Sequence, residues 1–573
     1  MDQYQKEIKK NRKYLPVDLN VQDWSNLEPF YNELLASSFD NKDIIEEWLK
    51  KRSELNSVLE EEFATMYIRM TRDTANEGYS QVFNDFVTTV QPKIIEFSHK
   101  LDEKFINSPL LDELDQDKYH VMIRGIKKHL EIFREKNIPL FSELQVEERE
   151  FGKISSEMTI EYEGKELTLQ QAAKYLKDPD RPVREKVYKL INDRRLQDSE
   201  KLNTLLTKLI EKRHQVGLNA DFSNFRDYKF IDLGRFDYSV EDCYQFHESI
   251  REVVTPIVDN LYRERKNKLK LDELRPWDLE VDKDLKPPLQ PFDTASELIE
   301  KSIECFSKIR PKYGNFLSMM NKHGYLDLES RKGKAPGGYN YPLYESNIPF
   351  IFMNAAGNFR DLETMMHEGG HAIHSFLSKD LELTYFKSLP SEVAELASMS
   401  MELISMEHWS IFFPGDEELN RAKKGQLEGI IKVLPWIATI DKFQHWLYLH
   451  PNHTSRERLG EWISIFNEFS SDQIEWGGFE EYLQFNWQKQ LHIFEVPFYY
   501  IEYGIAQLGA LAIWRNFKKN PEKALNDYEK ALSLGYSVTI PEIYETAGIN
   551  FSFEKNYIKD LINFTVQELN KLS

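Results

Sequence analysis

The chain has 573 residues, 41% hydrophobic and 13% aromatic, which is enough apolar side chain for a large core and too much for a disordered segment. A formal net charge of −21 repels phosphate backbones at long range, so no nucleic-acid partner is expected. Two cysteines, Cys243 and Cys305, exclude a disulfide framework and zinc ribbons, and both read as ordinary buried thiols.

The chain opens on MDQYQKEIKKNRKYLPVDLN, which lacks the apolar stretch of a secretory signal. Residues 43–70 repeat apolar side chains three and four apart, among them Ile44, Trp48, Leu55, Leu59 and Phe63, and predict a helix. Residues 83–107, 113–135 and 143–157 do the same, with prolines at 92, 109 and 139 as breakers. Long helices with short connections predict a mainly α architecture. MTIEYEGKELTL (158–169) alternates around Glu163-Gly164, a hairpin pattern, and a boundary is placed near residue 150. The charged, proline-containing segment 265–294 resembles a linker, yet Leu271, Leu274, Trp277 and Leu279 predict that it packs. GKAPGGY (333–339) holds three glycines and predicts a mobile loop, with Gly337 and Gly338 able to close over a ligand. IPFIFMN (348–354) reads as a short strand whose edge could accept an extended peptide, with Asn354 and Ala355 as contact positions.

MMHEGGHAIH (365–374) follows that strand. On a helix, His367 and His371 are four apart and share a face, so both imidazoles can meet one metal ion. Glu368 is one step round, placed to act as a base. H-E-x-x-H is an established zinc-hydrolase pattern: a catalytic zinc keeps an open position and lowers the pKa of a water there, and the glutamate moves its proton. Apolar flanks (Met365, Met366, Ala372, Ile373, Phe376 and Leu377) predict a buried helix. Gly369 and Gly370 weaken it by about 1 kcal/mol each, which suggests close approach of another backbone or of substrate. His374 supports the ligands or fills the core.

A zinc site of this kind needs a third protein ligand. LPSEVAELASMSMELIS (389–405) offers Glu392, Glu395 and Glu402 on one face of an apolar helix. The most apolar stretches, IIKVLPWIATI and GIAQLGALAIW, are shorter than the roughly 18–20 residues of a membrane span, so a cytoplasmic protein without a membrane partner is expected. LHIFEVPFYYIEYGIAQLGALAIW (491–514) gathers Tyr499, Tyr500 and Tyr503 at a helix start after Pro497, with His492 just before. Phenol and imidazole donors suit the negative charge that builds on a carbonyl oxygen during peptide hydrolysis.

HEGGHAIH followed by EVAELASMSME resembles the M3 zinc oligopeptidases, the group containing thimet oligopeptidase and oligoendopeptidase F, and is most similar to the latter branch. LKDPDRPVREKVYK (176–189), GKAPGGYNYP (333–342) and IPFIFMNAAGNFRDLETMMHEGGH (348–371) are similar to family landmarks, and the likeness covers residues 150–573 best. It implies two helical lobes around a deep substrate channel, with a small β-sheet beside the zinc helix. Residues 1–150 would form part of the channel wall and residues 151–573 the catalytic region. It implies one Zn²⁺ per chain on His367, His371 and Glu395, with Glu402 orienting a ligand histidine and Glu392 as the fallback ligand. Glu368 would be the general base, Tyr503 the oxyanion donor, His492 a donor to a substrate carbonyl, and Tyr500 and Tyr499 further peptide contacts. Thimet-type enzymes have a more glycine-rich loop where this chain has EVPFYY. The implied activity is internal cleavage of short unstructured peptides. A dipeptidyl-carboxypeptidase-type exopeptidase is the alternative, and a non-catalytic peptide-binding protein is disfavoured by the intact His367, Glu368 and His371.

Overall fold

A computed structural model describes residues 12–572. The first eleven residues, part of the stretch expected to carry no signal, lie outside the described residues. Helices dominate, and the strands form one two-stranded and one three-stranded sheet among the described residues. No described helix is long and apolar enough to cross a membrane.

The local rules act as the sequence predicts. The helix Lys42–Arg72 starts where the Asn41 side chain accepts from the Ile44 N–H, and it buries Ile45, Trp48, Leu49, Leu55, Val58 and Leu59. The stretch expected as one helix over 83–107 is instead Glu77–Asp85, one π turn at Phe86–Val90, and Gln91–Ile106. Pro92 sits in the first turn of the last piece, where a missing N–H costs nothing. The hairpin forms from Thr159–Tyr162 and Lys165–Thr168. Glu163 and Gly164 between them both take positive φ (52° and 75°), which matches the twist of the flanking strands.

The chain divides into two compact units, each assembled from three stretches. The first comprises Met1–Glu131, Gln290–Leu419 and Gly509–Phe551. Its core joins Leu27, Tyr31, Trp48, Leu55 and Phe105 to Leu383 and Phe386. Its sheet has Phe350–Ala355 in the middle, parallel to Leu326–Glu329 and antiparallel to Tyr339–Tyr341. This corrects one expectation: the strand at 350–355 is central and paired on both sides, and the edges are Leu326–Glu329 and Tyr339–Tyr341, the latter directly after Gly337 and Gly338.

The second unit comprises Ile132–Leu289, Asn420–Leu508 and Ser552–Ser573. The linker-like segment packs within it as far as Leu289. Leu274 and Trp277 are buried, and Asp278 is fully enclosed between Arg181 and Arg184 at 2.8 and 2.9 Å. The two guanidiniums hold the Asp278 carboxyl below its usual range against the opposing effect of burial.

Candidate active site

Strand, turn and helix follow one another as the sequence NAAGNFRD dictates. Phe350–Ala355 ends, Gly357 turns the chain at φ 88°, and Asn358 caps the helix Phe359–Ser378 in a reciprocal pair with Asp361. This histidine helix packs against the glutamate helix Ser391–Ser405. A Cβ at Gly370 would lie 2.5 Å from the Ser398 Cα and 2.9 Å from the Ala397 carbonyl oxygen. A Cβ at Gly369 would meet the Phe306 ring at 2.5 Å. The glycines therefore let a second backbone approach at position 370 and an aromatic ring at 369. Tyr528 and Tyr544 also hold the glutamate helix, donating to the carbonyls of Ala397 and Glu392 at 2.9 and 3.1 Å.

The close approach brings three donors together. Glu395 Oε2 lies 3.2 Å from His367 Nε2 and 3.7 Å from His371 Nε2. Ser398 Oγ donates to the same carboxylate oxygen at 3.0 Å. The other nitrogen of His367, Nδ1, is 2.7 Å from Glu402 Oε1, which directs Nε2 towards Glu395. Glu392, the alternative third ligand, is buried on the same helix but does not join the donor group. His374 is buried one turn on, and its ring nitrogens make no hydrogen bond to the three donor residues. Burial draws its pKa down to about 3.

The charges of this group are strongly coupled. Burial alone would lower the His367 pKa, but Glu395 and Glu402 on its two sides raise it well above the ordinary value. Burial would raise Glu395, yet hydrogen bonding and charge from His367 and His371, with Ser398, hold it at about 2. His371 is drawn down to about 4 by burial and stays neutral, as a ligand must. Glu368 is pushed up to about 7, chiefly by burial. Ion–donor bonds of ~2.0–2.2 Å at tetrahedral angles set donors about 3.3–3.6 Å apart. The observed 3.2 and 3.7 Å separations bracket that spacing within about 0.1 Å. Two imidazoles, one carboxylate and an exposed flank, the histidine side chains being 21% and 19% accessible, suit a divalent metal with room for substrate.

Asn354 and the glycine loop are committed to each other. The Asn354 amide donates to the carbonyls of Ala335 and Gly337 at 2.8 and 2.9 Å, so the loop is fastened to the strand. Ala355 ends the strand opposite Glu329, and Gly337 takes φ 97°. Asn340, which sequence reasoning did not single out, donates to the Glu368 carbonyl at 3.2 Å.

The remaining predicted residues gather in the second unit. The His492 ring centroid lies 4.7, 5.8 and 6.0 Å from those of Tyr500, Tyr503 and Tyr499. Two residues missed from the sequence fix the imidazole. Trp436 Nε1 donates to Gln490 Oε1 at 3.0 Å, which turns the Gln490 amide nitrogen towards His492 Nδ1 at 2.6 Å. Gln490 therefore donates to Nδ1, and the ring proton sits on Nε2, as a carbonyl donor requires. The preceding loop is anchored as well. Phe498 occupies the left-handed region at φ 68°, where a glycine would be at ease, and this strain costs roughly 1–3 kcal/mol. Gln444 accepts from its N–H at 3.0 Å, and Arg235 donates to its carbonyl and to Glu502. Trp436, Gln444 and Arg235 give no signal in the sequence, because each lies far along the chain from the loop it holds.

An H-E-x-x-H helix, a glutamate from the following helix and a buried carboxylate beside them define a metal-dependent hydrolase. The description "Peptidase family M3" matches residues 174–562, and "Peptidase M3 N-terminal domain" matches residues 16–133. The chain belongs to peptidase family M3 and is a metallopeptidase. It is 23% identical to the oligoendopeptidase F homolog of Borreliella burgdorferi, over 93% of this chain and 92% of that one. It is 20% identical to oligopeptidase PepF of Bacillus subtilis, over 90% and 78%. Among solved structures it superposes on PZ peptidase A, crystallised with an inhibitor, with a TM-score of 0.90 and 25% identity over 98% and 99% of the two chains.

Proposed function

We propose that this metallopeptidase is a cytoplasmic, zinc-dependent oligoendopeptidase that cleaves internal bonds of short unstructured peptides, with one catalytic Zn²⁺ on His367, His371 and Glu395. The convergence of those three donors, with Glu402 behind His367, carries the reading. Family membership and the oligopeptidase names of the relatives support it. When bound, the ion supplies Lewis acidity towards water and a peptide carbonyl.

The chain's own residues do the rest. Glu368 takes a proton from the attacking water as its oxygen bonds to the carbonyl carbon, then delivers that proton to the nitrogen as the C–N bond breaks. A buried carboxyl with its pKa near 7 is suited to both halves of that transfer. Tyr503 donates its phenol proton to the developing oxyanion, and His492 donates from Nε2 to a substrate carbonyl. Tyr500 and Tyr499 contact the peptide further along. A peptide adding to the sheet would meet the edge strand Tyr339–Tyr341, with Gly337, Gly338, Asn354 and Ala355 beside it. In this reading residues 1–150 supply wall to the substrate channel and residues 151–573 the chemistry.

Mass spectrometry of products from a peptide pool of graded length tests the proposal. Internal fragments that vanish on chelation and return with zinc are expected. Release of C-terminal dipeptides alone would turn the assignment to an exopeptidase, and equal digestion after exhaustive metal removal would overturn it. Glu395→Ala should empty the metal site; full occupancy would move the third ligand to Glu392.

A further inference from the structure

A second group of metal-type donors lies within the other unit. Cys243 and His247 are four apart on the helix Val240–Val253, and Asp441 and His445 are four apart on the helix Asp416–Leu449. Each pair shares a helix face, and the two faces meet. All four residues are buried, at 0, 4, 0 and 2% accessibility. One donor atom each from Cys243, Asp441 and His445 lies within 4.8 Å of the others. His247 Nε2 donates to Asp441 Oδ2 at 2.7 Å, and His445 Nε2 is 3.3 Å from the same oxygen.

This contact leaves several polar atoms in the core unanswered. Oδ1 of Asp441, Nδ1 of His247 and Nδ1 of His445 are buried without a hydrogen bond, and His445 Nε2 has only its 3.3 Å approach to Asp441. Buried polar atoms are almost always paired, and a group of exceptions in one place points to a bound water or ion. The walls offer little else. Rings of Tyr244, Phe498 and Phe230 stand 5.0, 5.3 and 5.9 Å from the His445 ring.

We propose that Cys243, Asp441 and His445 bind a second divalent metal ion of zinc type, with His247 as a positioning residue that holds the Asp441 carboxylate. One thiolate and one carboxylate neutralise a 2+ ion, so the filled site buries no net charge. The thiolate and imidazole donors select zinc-like ions over magnesium or calcium. Binding breaks the Cys243 S–H bond, forms a sulfur–metal bond and releases the proton to solvent. That proton now points at the Ser239 carbonyl, 3.4 Å from sulfur. Such an enclosed site is structural. It would tie two helices together beneath Phe498, the strained residue that precedes Tyr499 and Tyr500. The proposal does not rest on the peptidase reading.

Cobalt substitution of the purified, metal-stripped protein tests it. The catalytic donors His367, His371 and Glu395 include no thiolate, and the other cysteine, Cys305, belongs to no donor group among the described residues. Wild-type protein should take two equivalents of Co²⁺ per chain and show a near-ultraviolet thiolate-to-cobalt absorption. His371→Ala should keep that absorption with about one equivalent, and Cys243→Ser should lose it. One equivalent without thiolate absorption in the wild-type chain would overturn the proposal and leave a metal-free hydrogen-bonded network. So would two equivalents without that absorption. Both readouts use the wild-type protein, so misfolding of a variant cannot hide the result.

Discussion

The His367–His371–Glu395 group and the Cys243–Asp441–His445 group are built alike and placed differently. Each takes an i, i+4 pair from one helix and a carboxylate or a second pair from another. The histidine side chains of the first are about one-fifth accessible, whereas His247, Asp441 and His445 are 4% exposed or less. The first has a carboxylate, Glu368, beside it with a pKa raised to about 7; aromatic rings wall in the second. The difference teaches that donor spacing defines a metal site, while exposure and a neighbouring base decide whether it does chemistry or holds the fold.

Substitutions can break or sharpen this contrast. Glu368→Gln should lower kcat by roughly 10²–10⁴-fold with metal content unchanged, measured by quenched-peptide turnover beside elemental analysis. Unchanged turnover would remove Glu368 from the mechanism. Tyr503→Phe should lower kcat by about 10²–10³-fold with little change in KM, and equal activity would return Tyr503 to an ordinary rim aromatic. Glu402→Ala should weaken metal binding at the first group by about 10–100-fold, read in competition with a chromophoric chelator. An unaltered affinity there would mean that the His367 orientation is set elsewhere. The smallest effect is one of stability. Gly370→Ala should lower the unfolding free energy by roughly 1–3 kcal/mol, because the methyl group meets backbone. Gly369→Ala should cost less, since the Phe306 ring can turn aside and alanine favours the helix. Urea midpoints in the opposite order would refute the packing account.

How much was legible follows from where each interaction lies along the chain. His367 and His371 could be read because a helix converts spacing four into proximity. Glu395 and Glu402 came from a resemblance, since nothing in the residues alone separates Glu392, Glu395 and Glu402. The strand at 350–355 was found, but its place in the sheet was not. An apolar run marks a strand, and only pairing with Leu326–Glu329 and Tyr339–Tyr341 makes it central. Gly370 was suspected of allowing close approach, and the partner is the backbone at Ser398. Gln490 and Trp436 behind His492, and the Cys243 to His445 cluster, were missed. The Trp436 contact and the cluster depend on helices brought together by tertiary packing, and the orientation of Gln490 depends on Trp436, none of which local pattern encodes.

The contact at Gly370 also bears on engineering. With no side chain at that point of contact, the gap from imidazole to Glu395 is set by main chain, like a spacer of constant thickness. Anyone transplanting this triad into a new scaffold would need to copy that interhelical separation first. Motif letters pasted onto helices an ångström or two further apart would leave the acidic ligand out of reach.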